Sequence, residues 1–230
     1  MVLVGAGEFL PIMAEFDLGL LAATGRARPR VAILPTASWP DGDAVFRRWA
    51  AMGVEHFTAL GAEVEPVLVR DRADADDVAN AQAIWEADLV YLSGGKPRHL
   101  CETLEASRVG RALWDASRSD TIVAGCSAGA MVLSDRQWEF RRRLPWPLRW
   151  RRGLGLVTGL AVIPHYDAWP EPLCALMALQ APHGASVLGI DEKTAVVGRD
   201  GSWQVHGRGR VTVWRGRHRE RFRAGEAFQL

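Results

Sequence analysis

Residues 121–133 read TIVAGCSAGAMVL, and this stretch constrains the chain more than any other. The apolar run Thr121-Ile122-Val123-Ala124 reads as a buried strand. Gly125, Cys126, Ser127, Ala128 and Gly129 then form a Gly-x-Ser-x-Gly turn, and the small, helix-compatible residues Ala130, Met131, Val132 and Leu133 follow it. Strand, tight turn with one serine at the tip, then helix is the layout of a nucleophile elbow. Such a turn strains its serine, and flanking glycines avoid Cβ clashes with the neighbouring strand. The predicted outcome is a Ser127 hydroxyl projecting above the C-terminal edge of a sheet. The N–H of Ala128 then sits where an oxyanion needs a donor.

The rest of the chain supplies such a sheet. Strands are predicted at residues 1–4, at Arg30–Leu34 (RVAIL), at 63–69, at 88–92 (DLVYL) and at 121–124. Helical patterns separate them at residues 15–24, 46–60, 76–86 and 100–117. This alternation argues an α/β fold with a doubly wound, mostly parallel sheet flanked by helices. Beyond residue 156 the pattern changes. Short strands are expected at 161–163, Ser186–Ile190 and 195–197, and the alternating runs at 203–205 and 210–214 read as antiparallel edge hairpins. With no internal repeat or linker in 230 residues, one α/β domain over the whole chain is expected.

Composition narrows the class. A formal charge of +1 provides no global field for nucleic acid or an anionic membrane. Three widely spaced cysteines, Cys101, Cys126 and Cys174, are odd in number and lack Cys-x-x-Cys spacing, so neither a disulfide framework nor a cysteine metal site is expected. Together with an N-terminus that reads as a strand, this points to a cytoplasmic protein. No apolar run approaches the roughly 20 residues of a membrane span. No complete Gly-x-Gly-x-x-Gly follows the first strand and no ligand-spaced His/Cys cluster occurs, so no cofactor and no metal is expected.

A serine nucleophile needs a base. Of the six histidines, His165 follows the apolar run Val162-Ile163-Pro164 and so stands at a strand end, which makes it the expected base. His99, near the Ser93-Gly94-Gly95 loop, is the alternative. The orienting acid is less defined: Asp135, Glu139, Asp167, Asp191 and Glu192 are all available. Gly94 or Gly95, in a loop after a strand end, is expected to bring a backbone N–H to the substrate carbonyl beside Ala128.

In this order, GAGE, AILPTAS, YLSGG, GCSAGAM, IPHYD and LGIDEKTAVVG resemble the dipeptidase E and cyanophycinase family of serine peptidases, over roughly residues 1–214. The resemblance implies a fold like that of class I glutamine amidotransferases. It implies Ser127 as nucleophile, His165 as base, Gly94 or Gly95 with Ala128 as oxyanion donors, and a small peptide or isopeptide substrate, with Glu192 a candidate substrate contact. Such a protein is expected to be a monomer or homodimer. Three departures stand out. Lys96-Pro97 follows the double glycine, where the family often has a polar residue such as asparagine. The family's acid is expected about 15 to 18 residues beyond the serine. Here that spacing falls on Arg142, Arg143, Leu144 and Pro145, so Glu139 becomes the expected acid. Residues 136–152 (RQWEFRRRLPWPLRWRR) are rich in arginine and tryptophan. They read either as a solvated surface loop or as a lid whose arginines meet substrate carboxylates.

Overall fold

The computed structural model describes residues 1–139, 148–199 and 201–230. Most of the basic core of the Arg/Trp-rich stretch, including Arg141, Arg142, Arg143, Leu144 and Pro145, lies outside the described residues. The chain begins with β1 (Val2–Val4), α1 (Ala14–Ala23), β2 (Arg30–Leu34), α2 (Asp43–Ala59) and β3 (Glu63–Pro66). Next come α3 (Arg72–Ala75), α4 (Val78–Trp85), β4 (Leu89–Leu92), α5 (Pro97–Leu104) and α6 (Arg108–Ala116). The elbow is β5 (Ile122–Cys126) with α7 (Ala128–Leu133).

The chain continues through β6 (Ser134–Trp138), β7 (Trp150–Arg152), β8 (Val157–Ile163), α8 (Glu171–Leu179) and β9 (Ser186–Ile190). It closes with β10 (Thr194–Arg199), β11 (Ser202–Gly207), β12 (Arg210–Arg215), β13 (His218–Arg223) and β14 (Ala227–Gln229).

These strands form two sheets. One runs β14-β11-β10-β1-β5-β4-β2-β3, with β1, β5, β4, β2 and β3 parallel. The other runs β13-β12-β9-β8-β6-β7, with β6, β8 and β9 parallel. The C-terminal antiparallel strands divide between them. The β10–β11 pair extends the first sheet, and the β12–β13 pair borders the second. The second sheet is the feature the sequence pattern did not separate from the first.

Both faces of the first sheet are covered at its centre, which is why strands such as β1 and β4 are continuously apolar, whereas the edge strand β3 (EVEP) is mostly exposed. Every residue of β1 and β4 is buried. Phe9, Phe57 and Tyr91 pack together on one face, with the Phe9 and Tyr91 rings 5.1 Å apart. Leu34, Leu92, Leu100 and Leu133 belong to the larger core on the other. The helix expected over 100–117 is two helices. Ala106, at φ 54°, turns the chain left-handed, and Ser107 caps α6 by accepting the Gly110 N–H at 2.9 Å.

Candidate active site

The C-terminal ends of β1, β4 and β5 lie side by side, with Val4 opposite Cys126 and Leu92 opposite Gly125. The loops that follow them meet at one edge. Ser127 stands at the tip with φ 50° and ψ −107°. This strain is held by the Ser127 N–H bond to Val4 O at 2.9 Å and the Met131 N–H bond to Ser127 O at 3.0 Å. The glycines of the motif are sterically required: a Cβ on Gly125 would stand 2.6 Å from the Gly129 carbonyl carbon, and one on Gly129 would stand 2.4 Å from Leu92 O. Such close approach is the structural use of glycine here.

The second sheet brings His165, the expected base. His165 follows the end of β8 in a left-handed conformation, φ 50° and ψ 40°. Its Nε2 lies 3.1 Å from Ser127 Oγ, and its Nδ1 lies 2.8 Å from Glu192 Oε1. A carboxylate can only accept, so this contact assigns the ring proton to Nδ1 and leaves Nε2 as the acceptor facing the serine. Glu192 sits on the turn where the chain leaves β9 in the second sheet and enters β10 in the first. Asp167 Oδ1 accepts the Glu192 N–H at 2.9 Å, tying that turn to the one carrying His165.

The acid position is where geometry departs from the sequence expectation. Glu139, expected to orient His165, lies at the end of β6, only 7 % exposed, and accepts from Arg151 Nη2 at 3.3 Å. Arg98 Nη1 is 4.0 Å from the same oxygen. Both ring nitrogens of His165 are engaged by Ser127 and Glu192, so no imidazole N–H remains for Glu139. Glu192, one of the carboxylates available from the sequence and also a candidate substrate contact, is the one that meets the imidazole. Asp135 is on β6 and accepts the Leu160 N–H at 3.0 Å. Asp191 is turned to β12, accepting the Arg210 N–H at 2.8 Å. His99, the alternative base, bonds Arg70 O at 2.9 Å.

The double glycine lies against the serine. A Cβ on Gly94 would stand 3.4 Å from Ser127 Cβ. The two glycines differ in what their N–H groups do. Gly94 donates to Glu8 Oε1 at 2.8 Å, so its N–H is turned to the interior, and of the two glycines expected to offer an N–H Gly95 is left. Gly95, at φ 140°, and Ala128, the first residue of α7, remain. Ala128 has no intrahelical acceptor for its N–H because it opens the helix.

Cys126 is completely buried and donates its thiol to Glu8 Oε2 at 2.8 Å. Burial, and then the negative charge of Glu8, push this thiol well above its usual range. It therefore stays protonated behind the elbow while Ser127 occupies the tip.

Two clefts meet at Ser127 and His165. The larger, about 520 Å³, is walled by Lys96, Arg98, Met131, Trp138, Glu139, Arg151 and Trp169 among others. Trp138 and Trp169 meet edge to face with ring centroids 6.1 Å apart. Of its lining residues, Arg98 bonds Glu102 at 2.8 Å and Arg151 bonds Glu139 at 3.3 Å. The described flanks of the Arg/Trp-rich stretch are thus a strand pair, β6 with β7, that builds a wall of this cleft. The smaller cleft, about 370 Å³, is lined by Gly7, Leu10, Trp49, Met52, Glu192 and Lys193 among others. Among the described residues no group of three His, Cys, Asp or Glu side chains is placed to hold a metal ion. No described helix is long and apolar enough to cross a membrane.

Two cyanophycinases, from Trichormus variabilis and from Nostoc sp., are each 29% identical to this chain over 199 residues. Each match covers 82% of this chain, which spans only 64% of their length. An uncharacterized peptidase, YgaJ of Bacillus subtilis, is 27% identical over 168 residues, covering 72% of this chain and 68% of that protein. Among solved structures, a peptidase from an acI-B1 actinobacterium superposes with a TM-score of 0.88 at 31% identity, covering 100% of this chain and 96% of that one. A putative peptidase E protein from Listeria monocytogenes EGD-e shares the fold, with a TM-score of 0.65 at 16% identity over 90% of this chain and 98% of that one. The model of peptidase family S51 matches residues 1–206. On that match over most of its length, with α/β architecture to agree, the chain belongs to peptidase family S51.

Proposed function

We propose that this chain is a serine hydrolase that cleaves a peptide or isopeptide bond through an acyl-enzyme on Ser127. His165 is the general base, Glu192 the orienting acid, and the N–H groups of Gly95 and Ala128 the oxyanion donors. The observation that carries this reading is the chain of contacts from Ser127 Oγ to His165 Nε2 at 3.1 Å and from His165 Nδ1 to Glu192 at 2.8 Å. Nucleophile, base and orienter stand in hydrogen-bond sequence, which is how such a constellation is recognised.

The chemistry follows from those contacts. Ser127 Oγ attacks the scissile carbonyl carbon while its proton passes to His165 Nε2. The carbonyl oxygen becomes an oxyanion facing the Gly95 and Ala128 N–H groups. Glu192 stabilises the imidazolium. The tetrahedral species collapses, breaking the C–N bond as His165 returns the proton to the leaving nitrogen. Water then adds to the acyl carbon with His165 again as base, and Ser127 is released with the acid product.

Clefts on either side of the serine fit the two halves of a short substrate. The cyanophycinases among its relatives make cyanophycin a substrate to test beside ordinary dipeptides. A second reading, a family member acting as a binding or regulatory protein, is favoured by the lack of a carboxylate 15 to 18 residues beyond Ser127; the Glu192 contact to His165 supports catalysis instead. A fluorophosphonate probe tests the reading. It should label Ser127, and Ser127→Ala should abolish labelling and hydrolysis while the fold persists. Equal labelling of that variant would remove Ser127 from the mechanism.

A further inference from the structure

Glu8 is a glutamate buried to 6 % exposure directly behind the elbow, and the mechanism above gives it no task. A buried carboxylate needs partners, and both of its oxygens have one. Oε1 accepts the Gly94 N–H at 2.8 Å and Oε2 accepts the Cys126 thiol at 2.8 Å. Gly94 opens the oxyanion loop, and Cys126 is the residue before the nucleophile. The carboxylate therefore links the two segments that must stay in register for catalysis.

The loop is fixed on its far side as well. Lys96 N–H donates to Ala37 O at 2.7 Å. Gly95 lies between these two anchors, pressed so close to Ala37 that a Cβ would stand 2.4 Å from Ala37 O. With the N–H groups before and after it turned inward, the Gly95 N–H is the loop's remaining amide beside Ser127.

We propose that Glu8 is a positioning residue. Its carboxylate clamps Gly94 to Cys126 and so aims the Gly95 N–H at the oxyanion formed over Ser127. This rests on the reading of Ser127 as nucleophile. The clamp needs acceptors at a fixed reach and does not need charge. A glutamine keeps an oxygen at that reach for Gly94, with its amide facing the weakly accepting thiol. An aspartate keeps the charge but falls one methylene short of Gly94.

The test uses Glu8→Gln and Glu8→Asp, with two readouts on the full chain. The first is the rate at which a fluorophosphonate labels Ser127, since its phosphoryl oxygen uses the same donors. Loss of aim should lower that rate about tenfold to a hundredfold in Glu8→Asp, less than the loss of a whole donor, and leave Glu8→Gln within about threefold of the parent. The second is amide hydrogen exchange at Gly94, which should be protected in the parent and in Glu8→Gln and fast in Glu8→Asp. Parent-like labelling in Glu8→Asp with fast Gly94 exchange would overturn the proposal, as would Glu8→Gln labelling as slowly as Glu8→Asp. If Glu8→Asp does not fold, the glutamine variant decides alone, because a requirement for charge would slow its labelling. A parent protein that protects Gly94 but takes no label at Ser127 would instead sink the catalytic reading, and the positioning role with it.

Discussion

His165 Nδ1 and Glu192 Oε1 lie 2.8 Å apart, although 27 residues separate them in the chain. That contact fixes the tautomer in which Nε2 can accept the serine proton. Glu192→Gln could present its amide N–H to Nδ1 and favour the wrong tautomer. We expect turnover to fall about a hundredfold to ten-thousandfold with the fold intact. Glu139→Gln, on the wall of the larger cleft, should change turnover far less. Steady-state hydrolysis of the two variants, with circular dichroism as the control, decides between the carboxylates.

Asp167 acts on the same turn at one remove. Its carboxylate accepts the Glu192 N–H at 2.9 Å. Asp167→Ala should free the turn without removing the acid, so turnover should fall by about tenfold, less than for Glu192→Gln. A loss as large as that of Glu192→Gln would mean that Asp167 has a direct part in proton transfer.

Gly95→Ala should damage stability and catalysis together. Its φ of 140° is unfavourable for alanine, and the new methyl would meet Ala37 O at 2.4 Å. Backbone strain alone costs about 1–3 kcal/mol, and relieving the clash would displace the N–H proposed as an oxyanion donor. Thermal unfolding and labelling rate should both fall. A variant with parent-like melting and labelling would contradict the close approach seen at this loop.

Cys126→Ala separates the two candidate nucleophiles. The thiol is buried, held protonated by its surroundings and directed at Glu8. Its removal leaves Glu8 Oε2 without that donor and should cost about 1–3 kcal/mol in denaturant unfolding. Fluorophosphonate labelling of Ser127 should persist within about tenfold, because the Gly94 bond to Glu8 remains. Loss of all labelling in a folded variant would bring Cys126 into the chemistry.

The parts of this site differ in how plainly the sequence displays them. Ser127 is legible because its constraint is local: the steric demand of the turn writes glycine on both sides of it. His165 is legible from its place after an apolar strand. The same logic applies to Glu192. It follows β9, which pairs parallel with β8 so that Gly189 lies opposite Ile163. The ends of two adjacent parallel strands deliver their next residues to one place. Strand ends carried that signal; counting residues from the serine pointed to Glu139 instead. What the sequence could not display was the adjacency of β8 and β9, a tertiary fact. The second sheet was hidden for a related reason. Its strand β13 reads HRERFR, with most residues exposed, and lacks the apolar alternation that marks a strand. The inward turn of the Gly94 N–H depends on a carboxylate 86 positions away, which no local pattern records.

The two-sheet arrangement has a consequence for how the protein would fail under stress. Ser127 stands at the edge of one sheet, His165 at the edge of the other, and Glu192 on the strip of chain that crosses between them. Each sheet can keep its own ladder of backbone bonds while the pair slides or tilts by an ångström. Such a shift would leave far-ultraviolet dichroism almost unchanged and still open the gap between Oγ and Nε2, where small misplacements are costly. On gradual addition of denaturant, hydrolysis should therefore disappear at a lower concentration than secondary structure does.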